Sequence, residues 1–342
     1  MAVYPPLPVI VISCIAIPSI AFFLGVIFYY EIRKLSARMQ SRRGPWFLVP
    51  GPLRPLLGFS RLVQPLWDVL KLLYKETIIP ETASKTLFKI SPIFALGCLI
   101  AATLFVPIAG RSPFDQFEFS LVVVLYLIMA VPLALVTGGS ASSSPWGGVG
   151  SRREAELMLA YEVPLIISIF SVAMMADSLS LAEIVRFQNV PIRIFLILNP
   201  FAALAALLSM VGMLHLKPFD IPEAEVELVA GPLTEYSGRL LGIWEMVRTF
   251  LIFISTTLYV DLFLGGGVIR DLLPTGLPSI LATIIIFFVQ SGIVAFAYTI
   301  VHTTNPRYRI DQSFTWYMKI PLASATLGLI WAYAVAHLMT FG

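Results

Sequence analysis

Charge is scarce in this sequence. Only 13% of its 342 residues are Asp, Glu, Lys or Arg, against roughly 25% in an ordinary soluble domain. That shortage excludes a soluble globule, and it excludes disorder too, which needs low hydrophobicity and high net charge. Cysteine occurs twice, as Cys14 and Cys98, both inside apolar runs without metal-ligand spacing. A disulfide scaffold and a cysteine-held iron–sulfur cluster are therefore excluded. Three histidines, His215, His302 and His337, are too few and too scattered for a bis-histidine haem. No Walker loop, Rossmann glycine run or nucleophile elbow is present, and Gly265 to Gly267 reads as a turn. The expectation is a chain with no catalytic residue and with no metal or cofactor of its own. A net charge of +3 is too slight to argue for a nucleic-acid partner.

What fills the chain instead is apolar sequence, 58% of it, with a mean hydropathy of +0.87. A membrane helix needs about 20 mostly apolar residues to cross roughly 30 Å of hydrocarbon. By that measure one all-α membrane domain, 1–342, is expected with eight spans near 7–30, 90–109, 118–138, 155–178, 192–214, 240–264, 276–301 and 316–340. The first run has no basic segment before it and is too long for a signal peptide, so it reads as a retained span. Eleven of the 23 basic residues lie between the first two spans, and the flanks of later spans bring that side to 18, with 4 opposite. Positive charge stays inside. The chain is therefore expected in the cell (cytoplasmic) membrane with its long first loop cytoplasmic and both termini outside.

Four features converge on that cytoplasmic face. Arg33 and Lys34, then Gln40, Arg42 and Arg43, leave the first span; such a run serves as a topology anchor or as a docking face. Residues 61–76 place Arg61, Gln64, Asp68, Lys71 and Lys75 on one helical stripe, which predicts an amphipathic helix lying in the interface plane. Ser151 with Glu154 reads as a capping box opening the fourth span, with Glu162 about 15 Å along its axis. An acidic residue at that depth needs a partner or water. The segment 217–238 carries Asp220, Glu223, Glu225 and Glu227 within eight residues. Asp220 is expected to cap a short helix, with Glu223 at its third position and Gly231 as its stop.

Within the sixth span Glu245 and Arg248 are three apart and face each other on one side of the helix. Together with Glu162 and the acidic loop they predict a chain of titratable groups entering the membrane from the cytoplasm, able to relay protons or sense charge. Asp115, Glu118, Asp177 and Asp261 read as boundary residues at the outer ends of spans.

Several stretches in order carry a resemblance. They are Arg33 to Pro45, the Gln-Pro-Leu-Trp-Asp run from Gln64 to Glu76, the helix ending in Tyr161-Glu162, Pro218-Phe-Asp to Gly231, Thr234 to Gly238, and Asn305 to Gln312. Over nearly its whole length the chain resembles the H subunit (subunit 1) of respiratory complex I and its counterparts in the group 4 membrane-bound hydrogenases. The resemblance implies a joint between a soluble iron–sulfur arm and an ion-translocating membrane arm. It implies that Glu162, Asp220, Glu223, Glu225, Glu227, Glu235, Glu245 and Arg248 carry the coupling, and that Arg33, Lys34, Gln40, Arg42, Arg43, Lys217, Arg307, Arg309 and Asp311 face the soluble arm. It further implies soluble iron–sulfur and hydrogenase-like partners on the cytoplasmic face, antiporter-like membrane partners and lipid. The cofactors it implies, iron–sulfur clusters with nickel–iron or quinone, sit in partner subunits. Lys217 stands where complex I members usually carry Arg, keeping the charge but not the bidentate fork. The stretches 150–158 and 236–245 are similar to the hydrogenase-type members, which favours a ferredoxin-linked complex. A sulfur-compound reductase, a quinone-reducing complex and, in another class, a free-standing ion antiporter stay open.

Overall fold

In a computed structural model, which describes residues 7–45, 62, 64–188, 193–267 and 277–341, the chain is helical almost throughout. The helices are α1 (Leu7–Met39), α2 (Gln64–Tyr74), α3 (Lys85–Phe105), α4 (Ser120–Ala141), α5 (Pro145–Ala176) and α6 (Leu181–Phe187). They continue as α7 (Phe195–Leu198), α8 (Pro200–Met213), α9 (Glu225–Leu228), α10 (Gly238–Phe263), α11 (Leu277–Thr304) and α12 (Ile310–Phe341). Among the described residues seven of these, α1, α3, α4, α5, α10, α11 and α12, are long and apolar enough to cross a membrane. No strand occurs among the described residues; Ile108 and Arg111 form a single isolated bridge. The fold class is thus an all-α integral membrane protein.

The run expected at 192–214 is broken. Pro200 has no N–H to extend α7, and it pushes Asn199 out of helical geometry, to φ −139° and ψ 71°. Asn199 then opens α8 by accepting the Ala202 N–H at 3.1 Å and donates to the Gly328 carbonyl of α12 at 2.9 Å. The 14 residues of α8 rise only about 21 Å. Residues 189–192 of that run lie outside the described residues. Buried Ala202, Ala203, Ala205 and Ala206 let α8 sit close to α5 and α12, where small residues bring backbones together without a hydrophobic drive.

Two further expectations are corrected. First, α5 begins at Pro145 behind Ser144, six residues before Ser151. Proline suits the first helical position, so Ser151 is buried mid-helix and caps nothing. Second, Asp220 caps no helix: α9 starts only at Glu225, after Ala224. Asp220 and Glu223 are committed to distant cations instead, which outweighs a local cap. Gly231 is not the stop either: α9 ends at Leu228 with Val229 as its C-cap, and Gly231 opens the next, 3-10 turn. Gly231 adopts φ +54°, and a Cβ there would run into the Pro222 carbonyl oxygen, so the acidic segment folds back on itself. The amphipathic helix expected at 61–76 is shorter, 64–74, and Arg61 lies outside the described residues.

α10 runs through the middle of the bundle with almost every residue from Thr249 to Phe263 buried. The end of α1, the starts of α3 and α5, and the 214–238 segment meet at one end of it. There Tyr236 stacks on Phe88 at 4.0 Å and donates to the Phe88 carbonyl at 3.0 Å, and Ser143 donates to Thr82. The four features expected on one face therefore share one end of the bundle.

Candidate functional site

At that end lies a cavity of about 680 Å³. Tyr29, Ile32, Arg33, Ser36 and Ala37 of α1 form one wall, Arg248 and Ile252 of α10 another, and Leu214 to Lys217 with Asp220 and Glu223 a third. Arg42, His302 and Arg307 complete it. For an apolar chain this is a dense gathering of charge, and Arg33, Asp220, His215, Glu223, Arg248 and Arg307 in it are engaged in ion pairs.

Arg248 forms an ion pair with Glu223 and a second, at 3.7 Å, with Glu245 one turn back on α10. Nδ1 of His215 lies 3.6 Å from Glu223, and Nε2 lies 2.8 Å from Glu154, whose side chain is fully buried in α5. The result is one continuous line, Glu154–His215–Glu223–Arg248–Glu245, joining α5 to α10 along the cavity wall. Burial opposes charge on Glu223, yet Arg248 and His215 hold its carboxyl down at about 2. Burial likewise opposes an imidazolium, yet Glu154 and Glu223 hold His215 up at about 10.

Asp220 receives both arms of Arg307, Nε at 2.7 Å and Nη2 at 2.5 Å, the bidentate fork that fixes orientation as well as charge. The Lys217 N–H donates to His302 Nδ1 at 3.0 Å, and the Tyr308 N–H donates to the Pro218 carbonyl at 3.1 Å. These contacts stitch the acidic segment to the α11–α12 turn. Arg33 reaches Asp68 of α2 at 3.4 Å and lies over the Tyr29 ring, so the interfacial helix closes one side of the cavity.

Of the sequence-predicted residues, Arg33, Arg42, Lys217, Asp220, Glu223, Arg248 and Arg307 line this one cavity, and Glu245 joins it through Arg248. Lys34 donates to the Arg43 carbonyl at 3.1 Å beside it, and Gln40 is exposed at the end of α1. Glu227 turns away to pair with Arg153 at 2.5 Å. With Arg309 and Asp311 these two line a separate cleft of about 230 Å³. Glu225 opens α9, and Glu235 is half-buried before α10. Glu223 and Glu227 do not share a helix face, because Glu223 precedes α9. Glu162 lies two turns beyond Glu154 on α5 and outside the cavity lining, with one carboxylate oxygen buried and unbonded.

Sequence reasoning missed Glu154 and His215 as partners. Glu154 read as half of a capping box, and His215 read only as one of three scattered histidines. The available signal was position: a lone histidine closing a membrane run, and a second carboxylate two helical turns before Glu162.

The fold and the cavity define a class: a multi-helix membrane protein with an ion-paired polar chamber at one end of its helix bundle. A family model described as NADH dehydrogenase matches residues 10–333. The NADH-quinone oxidoreductase H subunit of Dehalococcoides mccartyi is 31% identical over 305 residues, covering 88% of this chain and 80% of the relative. That of Bacillus cytotoxicus is 32% identical over 302 residues, covering 87% and 85%. Among solved structures, a chain of the membrane-bound sulfane sulfur reductase, an archaeal respiratory membrane complex, aligns with a TM-score of 0.79 and 28% identity over 94% of this chain and 98% of its own. This chain belongs to the NADH dehydrogenase family that includes these H subunits.

Proposed function

We propose that this chain is the coupling subunit between a soluble iron–sulfur electron-transfer arm and an ion-translocating membrane arm, in a ferredoxin-linked, hydrogenase-like respiratory complex. The observation that carries the proposal is the unbroken line from Glu154 through His215, Glu223 and Arg248 to Glu245, set in the wall of a chamber at the membrane face. Electron transfer beside such a chamber changes local charge. A line of close ion pairs responds by shifting protons or side chains, because each member's charge sets its neighbour's protonation. Glu162, further along α5, is where the disturbance passes toward the membrane interior. The chain supplies the charge line and a rigid frame; electrons travel through clusters in the soluble partners.

A sulfur-compound reductase is the second reading, favoured by the likeness to the sulfane sulfur reductase chain over nearly the whole length. Quinone reduction is a third, suggested by the names of the NADH-quinone oxidoreductase relatives. Gentle purification of the native complex with mass spectrometry of its partners decides among them. A large subunit with intact nickel-ligating cysteines means a hydrogenase, and the same subunit without them points to sulfur or quinone reduction. A chain isolated without partners contradicts the coupling reading. For the relay itself, Glu162→Gln is expected to lower the ions moved per electron, and an unchanged ratio removes Glu162 from the path.

A further inference from the structure

The line of ion pairs leaves one buried acid unused. Asp261 lies thirteen residues beyond Arg248 on α10, about 20 Å along the axis and toward the end opposite the cavity. Its side chain is fully buried, and neither carboxylate oxygen has a hydrogen-bond partner among the described residues. The charged groups of the described elements packed around it are engaged elsewhere. Glu183 accepts from Ser178, Arg186 pairs with Asp115 at 3.9 Å, and Arg193 lies over the Phe187 ring. A charged, unpaired carboxylate in such a place is strongly disfavoured by lost hydration, so something must neutralise it.

The surroundings are built to hold that group in place. Gln188 donates to the Asp261 carbonyl at 2.8 Å, and the Gly266 N–H donates to the Val260 carbonyl at 3.1 Å. Gly265, Gly266 and Gly267 take φ of 81°, 60° and 76°, a left-handed turn open only to glycine at such density. A Cβ on Gly266 would sit 2.9 Å from Asp261 Oδ1 and 2.8 Å from Val185, so the turn closes directly over the carboxylate. One helical turn back toward the cavity, Thr257 shares the Asp261 face. Among the described residues its hydroxyl and that of Thr256 are buried without partners, and Ser255 beside them shares a hydrogen bond with the Tyr298 hydroxyl at 3.0 Å. Thus α10 carries unspent hydroxyls between the charged cavity and the buried acid.

We infer that Asp261 is a proton-holding site at the far end of α10. One carboxylate oxygen takes a proton delivered past the Thr256 and Thr257 hydroxyls and gives it up on the side closed by the glycine turn; one proton enters, one leaves, and no electron is exchanged. A metal cation fits poorly, because hard cations gather six or more oxygens and the described residues bring together no group of three or more His, Cys, Asp or Glu side chains that could hold one. The inference rests on the coupling reading only for the source of the proton.

Two measurements test it. The native complex, grown with carbon-13 carboxyl-labelled aspartate, is examined by infrared spectroscopy at neutral pH in H₂O and D₂O. A labelled protonated-carboxyl band that disappears in Asp261→Glu, where the acid is retained but unlabelled, is the expected result; absence of the band in the unaltered complex overturns the assignment. Reconstituted in liposomes, Asp261→Asn is expected to lose proton uptake per electron, and a ratio equal to that of the unaltered complex overturns the transport role. If the unaltered complex moves no ions, the coupling reading fails while the infrared band still decides whether Asp261 holds a proton.

Discussion

His215 holds one positive charge between the carboxylates of Glu154 and Glu223, at 2.8 and 3.6 Å. Removing one member strands its neighbours, and breaking a buried pair that way costs about 3–5 kcal/mol. Glu223→Gln is therefore expected to lower the thermal stability of the complex clearly, whereas Glu227→Gln, whose pair is exposed, lowers it by less than about 1 kcal/mol. Equal unfolding temperatures for the two variants would contradict this ranking. The pH dependence has a definite sign. Glu223 is held below its ordinary value of 4.5, so its contribution is present above that value and is lost as pH falls through about 2. His215 is held above 6.5, so its contribution is complete below that value and is lost as pH rises through about 10. Stability measured from pH 6 upward should decline into the alkaline range, and His215→Gln should flatten that decline.

At the scale of the element, the break before α8 is a local decision with a distant anchor. Asn199→Ala removes the cap on Ala202 and the bond to Gly328, and a lost cap alone is worth about 1 kcal/mol. A measurable fall in the unfolding temperature of the complex is the expected result, with no change if the break is held by Pro200 alone. The Asn199–Pro200 pair was readable as a breaker, yet the apolar run around it hid the break, since hydropathy is blind to backbone geometry. The long apolar helices were legible for the converse reason: lipid forces every backbone group to bond within its own segment, so length and composition suffice. The acidic segment was legible as a unit but its partners were not. Asp220 and Arg307 meet across 87 residues, and no local pattern announces such a contact. Glu154 and His215 stayed hidden likewise, because each has an ordinary local role and only the bundle brings them to 2.8 Å.

For the whole molecule, the charge asymmetry and the cavity agree on one end of the bundle, where the basic loop and the acidic segment meet. Cysteines placed singly at exposed Lys75 and at exposed Glu118 between α3 and α4, after removal of Cys14 and Cys98, should be labelled from opposite sides of sealed vesicles, Lys75 from the cytoplasmic side. Labelling of both from one side would contradict the topology. The chamber between α1, α10 and the acidic segment sits at one end of the bundle, and its ion pairs form a line that crosses from α5 to α10. That arrangement suits a part that feels charge arriving on one side and transmits it along the membrane. The most direct test of this account is the number of ions taken up per electron by the reconstituted native complex, compared before and after His215→Gln. The account predicts that electrons continue to flow while ion uptake per electron collapses; an unchanged ratio would contradict it.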